Sequence, residues 1–138
     1  MAITSAICTS FKQELLVGTH NFTATSGNTF KIALYTSSAS LGAGTTAYST
    51  SNEITNSSGT AYTAGGATLT SVTPTTDSTT AICDFADVSY TSASFTANGA
   101  LIYNDTQSDK AVAVIAFGSD KTVTSGTFTI QFPTADAT

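Results

Sequence analysis

Residues 99–121 read GALIYNDTQSDKAVAVIAFGSDK and hold the densest apolar run of the chain. Its two arms, 100–103 and 111–117, are apolar at every position, so neither arm has a polar face for solvent. A strand of this kind must be covered on both faces. Such a stretch could form a buried core strand, a surface for another subunit or the wall of a site. No reactive side chain lies near it in sequence, which favours the core.

Charge occurs only at the ends of these arms. Asp109, Lys110, Asp120 and Lys121 are predicted to be solvated residues at the strand ends that limit unwanted edge pairing. The sequence does not decide what covers the second face of this hairpin. An amphipathic helix containing Phe11 and Leu15 is the best intramolecular candidate, and a second subunit is the alternative.

The composition indicates an all-β protein. Charged residues make up 9% of the chain, against about 25% in an average soluble domain, and Ser and Thr take their place. Thr favours strands because it is β-branched. Residues 1–138 are predicted to form a single β-rich domain, an antiparallel sandwich or jelly-roll-like fold with one short N-terminal helix.

The charge balance argues against some partners. Four Lys, no Arg and a net charge of −5 do not suit a nucleic-acid partner, whose phosphates require clustered cations. No apolar run approaches the length of a membrane span, so no membrane partner is expected. Scarce charge does suit a protein interface, because interface centres are depleted in Lys, Glu and Asp. The alternative is a surface that simply uses hydroxyl groups.

The N-terminal segment, residues 1–22, is predicted to contain the short helix. Ser10 is placed as its N-cap, Gln13 completes a capping box, and Gly18 suits the position after the last helical turn. Phe11 and Leu15 lie four residues apart and share one face, which predicts that this face packs on a sheet or a neighbour.

Period-two alternation predicts the strands. In residues 30–36 it indicates a half-buried strand. Turn signals at 74–77, 98–99, 104–109, 118–120 and 125–126 separate the others. These predicted strands are Thr68 to Thr75, Thr79 to Phe85, Val88 to Tyr90, Ser94 to Ala97, Ala100 to Asn104, Lys110 to Phe117 and Thr127 to Phe132.

Residues 41–66 are dominated by small and turn-forming residues and are predicted to be a long surface loop, with a short strand near 45–48. A loop of this length usually has a function, and disorder is the alternative. Tyr48, Ile54 and Tyr62 give it apolar side chains with which to anchor a contact.

Little in the sequence indicates chemistry. His20 is the sole histidine and has no obvious carboxylate partner in sequence, and no Gly-x-Ser-x-Gly motif occurs. The aspartates around 84–87 and 105–109 are interpreted as solvated turn residues, because calcium requires more ligands. Cys8 and Cys83 are predicted to be free thiols. We therefore expect no enzyme, no metal and no cofactor; a small hydrolase is the remaining catalytic alternative.

Several segments together resemble a group of small virion proteins of tailed bacteriophages. The matching pieces include SFKQELLVGTHNF (10–22), TFKIALYTSSASL (29–41) and KAVAVIAFGSDKTVTSGTFTIQFP (110–133), and the likeness runs from about Ser10 to the C-terminus. The resemblance implies a noncatalytic capsid decoration, or cement, protein. Such a protein is made in the cytoplasm of the bacterial host and binds the outer capsid surface.

The resemblance also implies partners, namely the major capsid protein and the chain itself as a homodimer or homotrimer. A tail or baseplate component, including a module that binds a receptor or glycan, is the alternative. The N-terminal segment and the 41–66 loop are predicted to make the contacts. The candidate contact residues are Phe11, Leu15, His20, Phe22, Tyr48, Ile54 and Tyr62.

Overall fold

The computed structural model describes residues 2–55 and 61–137. As predicted, the protein is mostly β, with one short helix and antiparallel sheets in a sandwich-like arrangement. In chain order the elements are β1 (Ala6–Ile7), α1 (Thr9–Leu16), β2 (Phe30–Tyr35), β3 (Ala67–Thr68), β4 (Ser71–Asp77), β5 (Thr80–Phe85), β6 (Val88–Asn104) and β7 (Lys110–Ile130).

Strands β6 and β7 form one long antiparallel hairpin that organises the fold. It lies inside a five-stranded sheet of order β1-β7-β6-β2-β3, and β4 and β5 pair with each other in a separate two-stranded sheet. The hairpin turns through residues 105–109, where Ser108 and Asp109 adopt positive φ values. This turn is the one that the NDTQSD segment predicted.

The other turns predicted within this hairpin are wrong. The ladder continues through them as bulges, so five predicted strands merge into two. Ala97 pairs with Lys121 and Gly99 pairs with Ala116, which leaves residues 117–120 opposite Asn98 alone. Extra residues on one strand bend it and increase its twist. Glycine and polar residues favour a bulge for the same conformational reasons that they favour a turn, so the local sequence did not separate the two.

This bulge divides the hairpin into two parts. The inner half consists of residues 99–104 paired with 110–116, and its β6 side is buried at every position. The outer half consists of residues 88–97 paired with 121–130, where exposed and partly buried positions alternate along most of β7. Of the two halves of the hairpin, strand β2 pairs with the inner one, at Gly99–Asn104.

The N-terminal segment covers one face of the inner half. Phe30 pairs directly with Asn104, so both side chains lie on the same face. On that face Phe22 stacks on Phe30 with ring centroids 4.3 Å apart, and Phe11 meets Phe22 edge-on at 5.9 Å. The predicted helix cover is therefore present, although Phe11 provides it and Leu15 does not.

The 41–66 segment covers the opposite face, where Tyr35 and Tyr103 point. Tyr48 stacks on Tyr103 at 4.6 Å, and the Tyr35 hydroxyl donates to the Ser49 carbonyl at 2.7 Å. Both faces of β2 are consequently buried apart from Lys31, so the prediction of a half-buried strand at 30–36 is wrong. The described part of the segment lies against the sheet, while residues 56–60 of the predicted loop are outside the described residues.

Helix α1 begins differently from the prediction. Its N-cap is Cys8, no side chain caps it, and the Ser10 hydroxyl is buried without a hydrogen-bond partner among the described residues. Its end is as predicted. Gly18 has a φ of 73°, and the Gly18 and Thr19 amides donate to the Leu15 and Glu14 carbonyls at 3.2 and 3.0 Å. These two bonds form a Schellman motif.

Candidate functional site

The segment after α1 is fixed by a polar network around His20. Its Nε2 lies 2.6 Å from Glu14 Oε2, and Nδ1 accepts a hydrogen bond from Asn104 Nδ2 at 2.9 Å. The Gln107 amide donates to Asn104 Oδ1, which sets the orientation of the Asn104 side-chain amide. Because Asn104 donates to Nδ1, the proton of the neutral imidazole is on Nε2 and points to Glu14. Glu14 is therefore a carboxylate partner of His20, although it was not obvious in the sequence.

This network ties three segments together. Glu14 comes from the helix, His20 from the segment after it, and Asn104 from the end of β6. Lys110 Nζ adds an ion pair to Glu14 Oε1 at 3.3 Å. Burial alone raises the pKa of the Glu14 carboxyl, but hydrogen bonds from His20 and Lys110 outweigh it and hold that pKa below its usual range.

Glu14 and His20 are arranged like the carboxylate and histidine of a catalytic triad. The Asn104 side-chain amide, however, occupies the position where the nucleophile of a triad would lie. The His20 side chain has no solvent-exposed area, and both of its ring nitrogens are engaged. A general base must reach the proton that it abstracts. As placed, the pair stabilises the N-terminal segment against the sheet.

A second network holds the 41–66 segment in place, with Glu53 at its centre. The Tyr48 hydroxyl donates to Glu53 Oε2 at 2.6 Å, and the Tyr62 hydroxyl and the Gly65 amide donate to Oε1 at 2.5 and 2.7 Å. Glu53 is buried. A buried carboxylate is tolerated when hydrogen bonds satisfy its oxygens. Its partners lie 5, 9 and 12 residues away, so the carboxylate closes this segment on itself.

The same tyrosines connect the segment to the sheet. The Tyr62 hydroxyl accepts from the Leu34 amide at 2.9 Å, and the Tyr103 hydroxyl donates to the Gly65 carbonyl. Burial and the nearby Glu53 carboxylate raise the pKa of Tyr48 and Tyr62 well above the usual range of tyrosine. Both phenols therefore remain protonated donors at neutral pH. The arrangement supports a rigid structural fastening of the segment.

Most of the predicted contact residues have little exposed surface. Phe11, Ile54 and Tyr62 are buried in the core, and His20 is also buried. Phe22 and Tyr48 are partly buried and stack on Phe30 and Tyr103. The two segments were expected to use these side chains as anchors for a contact, but the structure packs six of the seven against the sheet of their own chain. Of the seven, Leu15 alone presents a large exposed surface, at 45%.

Leu15 belongs to an exposed apolar patch that the sequence analysis missed. Its neighbours Leu16 and Val17 are 88% and 69% exposed, and Ile7 on β1 is 49% exposed. We call Leu15, Leu16 and Val17 the helix-end patch. The signal was present in the sequence. Three consecutive apolar residues span more than one face of a helix, so a short helix packed on one side cannot bury all of them.

Glu53 was also missed. It is the only acidic residue between Glu14 and Asp77, and it lies between two tyrosines that are far apart in sequence. A single carboxylate in a segment that otherwise lacks charge can indicate a buried hydrogen-bond acceptor. A solvent-exposed loop made soluble by hydroxyl groups does not require that one charge.

The two cysteines are free thiols, as predicted, with Cys8 buried and Cys83 exposed. Burial and the Glu14 carboxylate raise the pKa of Cys8, which disfavours the thiolate that a nucleophile requires. Within residues 2–55 and 61–137, no three His, Cys, Asp or Glu side chains lie close enough together to hold a metal ion. In the same ranges, no helix is both long and apolar enough to cross a membrane.

The described structure includes two surface hollows of appreciable size. The larger, of about 630 Å³, is lined by mainly small and hydroxyl-bearing residues: Ala2, Thr4, Ser40, Leu41, Gly42, Gly44, Thr45, Thr46, Ala47 and Ser49. The smaller, of about 390 Å³, lies along β7 and is lined by Phe117, Lys121, Phe128, Thr129 and Ile130. No titratable group lines the first hollow and only Lys121 lines the second, so neither one brings together an acid and a base.

No known family model matches this chain, and neither curated proteins nor solved structures show a significant match to it.

Proposed function

We propose that this chain is a noncatalytic virion structural protein that decorates the outer capsid surface of a tailed bacteriophage. The observation that carries the proposal is the helix-end patch, three consecutive apolar residues exposed on an otherwise hydroxyl-rich surface. Exposed apolar side chains grouped in this way mark contact sites for other proteins. The proposed partners are the major capsid protein, which binds this patch, and further copies of the chain.

The interior of the protein suits a scaffold of this kind. The best candidates for reactive groups, His20, Glu53 and Cys8, are buried, and the first two are fully engaged in internal hydrogen bonds. They fix the N-terminal segment and the 41–66 segment on the two faces of the inner half. The helix-end patch is therefore presented from a rigid base, which reduces the entropy lost on binding.

A small contact suffices for decoration. A shell offers many identical sites, and a protein that clamps two shell subunits gains affinity from effective concentration. Binding to the assembled shell and not to its dissociated parts stabilises the shell by mass action.

Counting the protein in purified virions tests the proposal. Quantitative mass spectrometry should find hundreds of copies per particle, and cryo-electron microscopy should place them on the outer shell. A handful of copies at the tail would refute capsid decoration and favour the tail, baseplate or receptor-binding alternative.

Variants test the contact itself. Leu16→Ser with Val17→Ser should abolish binding to isolated shells, because the exposed apolar surface is removed without touching the core. Val72→Ser is the matched control, since Val72 is also apolar and 42% exposed but lies on β4. Equal shell binding by both variants would contradict a role for the helix-end patch.

A further inference from the structure

Strand β7 has an unpaired edge along the outer half of the hairpin. One side of β7 pairs with β6, and the other side pairs with β1 only at Ala113 and Val114. In the described chain, no strand pairs with that second side beyond this point. The backbone amides and carbonyls that point outward from residues 118–130 can therefore accept another strand.

This edge carries few of the features that usually protect an edge strand. Residues 122–130 read TVTSGTFTI and contain no charged side chain and no proline. Natural edge strands are commonly blocked by Lys, Pro, inward-pointing charge or β-bulges. The stretch contains an irregularity of the last kind at Ser125, where φ is 45° and the register with β6 shifts, so pairing has to accommodate this bulge. Asp120 and Lys121 could block pairing only at one end of the stretch. A two-stranded ribbon is also marginally stable by itself, so the outer half would gain from an additional strand.

We propose that a second copy of this chain binds here, with the two β7 strands pairing antiparallel through residues 122–130. This contact extends the proposed function, and it rests only on the proposal that the chain binds further copies of itself. Around a two-fold axis perpendicular to the sheet, each residue of the stretch meets another residue of the same stretch. Because the stretch is uncharged, the pairing brings no like charges together, although each chain carries a net charge of −5.

Side-chain chemistry also favours a second copy. The hairpin already pairs hydroxyls across its strands, Thr96 with Thr122 at 2.8 Å and Ser89 with Thr129 at 3.0 Å. A two-fold axis perpendicular to the sheet keeps the same face of both copies on the same side. The face that carries Thr122 and Thr129 therefore continues from one copy into the other. Phe128 and Ile130 lie on the opposite face, so the same pairing places the aromatic face of one copy beside that of the other.

The symmetry of this contact determines the number of subunits in the assembly. A contact in which the same strand pairs with itself is isologous and closes at two subunits. The resemblance implied a homodimer or a homotrimer, and this contact selects the homodimer.

Sedimentation velocity of the full chain tests the proposal, measured over about a hundred-fold range of concentration because dimerisation follows mass action. A dimer with twice the 14.0 kDa chain mass is expected. Thr124→Lys with Thr127→Lys should raise the dimer dissociation constant about ten-fold or more, since four added charges meet at the contact. The matched control is Thr75→Lys with Thr80→Lys, exposed positions on the separate β4–β5 sheet, which should leave the dimer intact.

A monomer at every concentration, a trimer, or a dimer that is insensitive to the β7 lysines would overturn the proposal. Circular dichroism of both double variants checks that they fold. The two proposals can fail separately. A dimer that does not bind shells would refute capsid decoration and support the β7 contact, whereas a monomer that binds shells would refute the β7 contact alone.

Discussion

The inner and outer halves of the β6–β7 hairpin are made from the same two strands but have different surroundings. In the inner half, β2 extends the sheet, the N-terminal segment covers one face and the 41–66 segment covers the other. In the outer half the hairpin is two-stranded, with a Thr-rich face exposed to solvent and an aromatic face on which Phe95 lies 5.0 Å from Phe128.

The difference shows where the fold obtains its stability. Removing apolar surface from water is the main favourable contribution to folding. The inner half buries both faces of β6 and about half of its β7 positions. The outer half buries part of one face. We therefore expect the inner half to resist local opening and the outer half to depend on whatever binds it.

The largest effect is expected from matched valine truncations on β7. Val114 is 2% exposed and lies in the inner half, so Val114→Ala should lower the free energy of unfolding by about 2–3 kcal/mol through lost burial and a cavity. Val123 is partly buried in the outer half, and Val123→Ala should cost about 1 kcal/mol or less. Urea denaturation of dilute protein measures both.

Equal losses at the two positions would contradict the comparison. A larger loss at Val123 would mean that the outer half carries the folding core. Amide hydrogen exchange provides an independent control, since the β7 amides near Val114 should exchange more slowly than those near Val123.

A smaller effect is expected from the carboxylate that fastens the 41–66 segment over the inner half. Glu53→Gln removes the negative charge and replaces one acceptor oxygen with an NH2 donor. Both the Tyr48 and Tyr62 hydroxyls therefore lose a charged acceptor, and one of them faces a donor instead. The expected loss of unfolding free energy is about 1–3 kcal/mol. Thermal denaturation and urea titration measure it.

Asp109→Asn makes the same charge change at a partly exposed turn position whose positive φ asparagine tolerates, and it should cost less than about 0.5 kcal/mol. If Asp109→Asn were as destabilising as Glu53→Gln, net charge would explain both results. The role assigned to the Glu53 hydrogen bonds would then be withdrawn.

The sequence predicted the inner half better than the outer half, for a physical reason. Apolar residues at every position of 100–103 and 111–117 can only be accommodated by two covering layers, so the pattern determined the environment. In the outer half, Asn98-Gly99 and Ser125-Gly126 carry the residues of a turn. A bulge uses the same residues, and only the partner strand decides between them.

The candidate site was less predictable, because its geometry depends on residues far apart in sequence. Gly18 and the end of α1 were predictable, since a helix terminus is specified by neighbouring residues. The Glu53 network was not, because Tyr62 and Gly65 reach the carboxylate only after the segment folds back on β2. The sequence therefore predicted Tyr48, Ile54 and Tyr62 as anchors of a surface loop, whereas the structure buries or half-buries them within the chain.

The smallest effect is expected at the hydroxyl pairs of the outer half. Thr96→Val and Thr122→Val keep the β-branched shape but remove a solvent-exposed hydrogen bond of 2.8 Å. Each should change the free energy of unfolding by less than about 0.5 kcal/mol, and a double-mutant cycle should give a coupling of a few tenths, since water replaces the lost partner. A coupling above about 1 kcal/mol would show that cross-strand hydroxyl pairing, and not the aromatic face, holds the outer half together. The same cycle at protein concentrations that favour the dimer would then report on the four-stranded sheet, because Thr122 lies within the stretch of β7 proposed to pair with its copy.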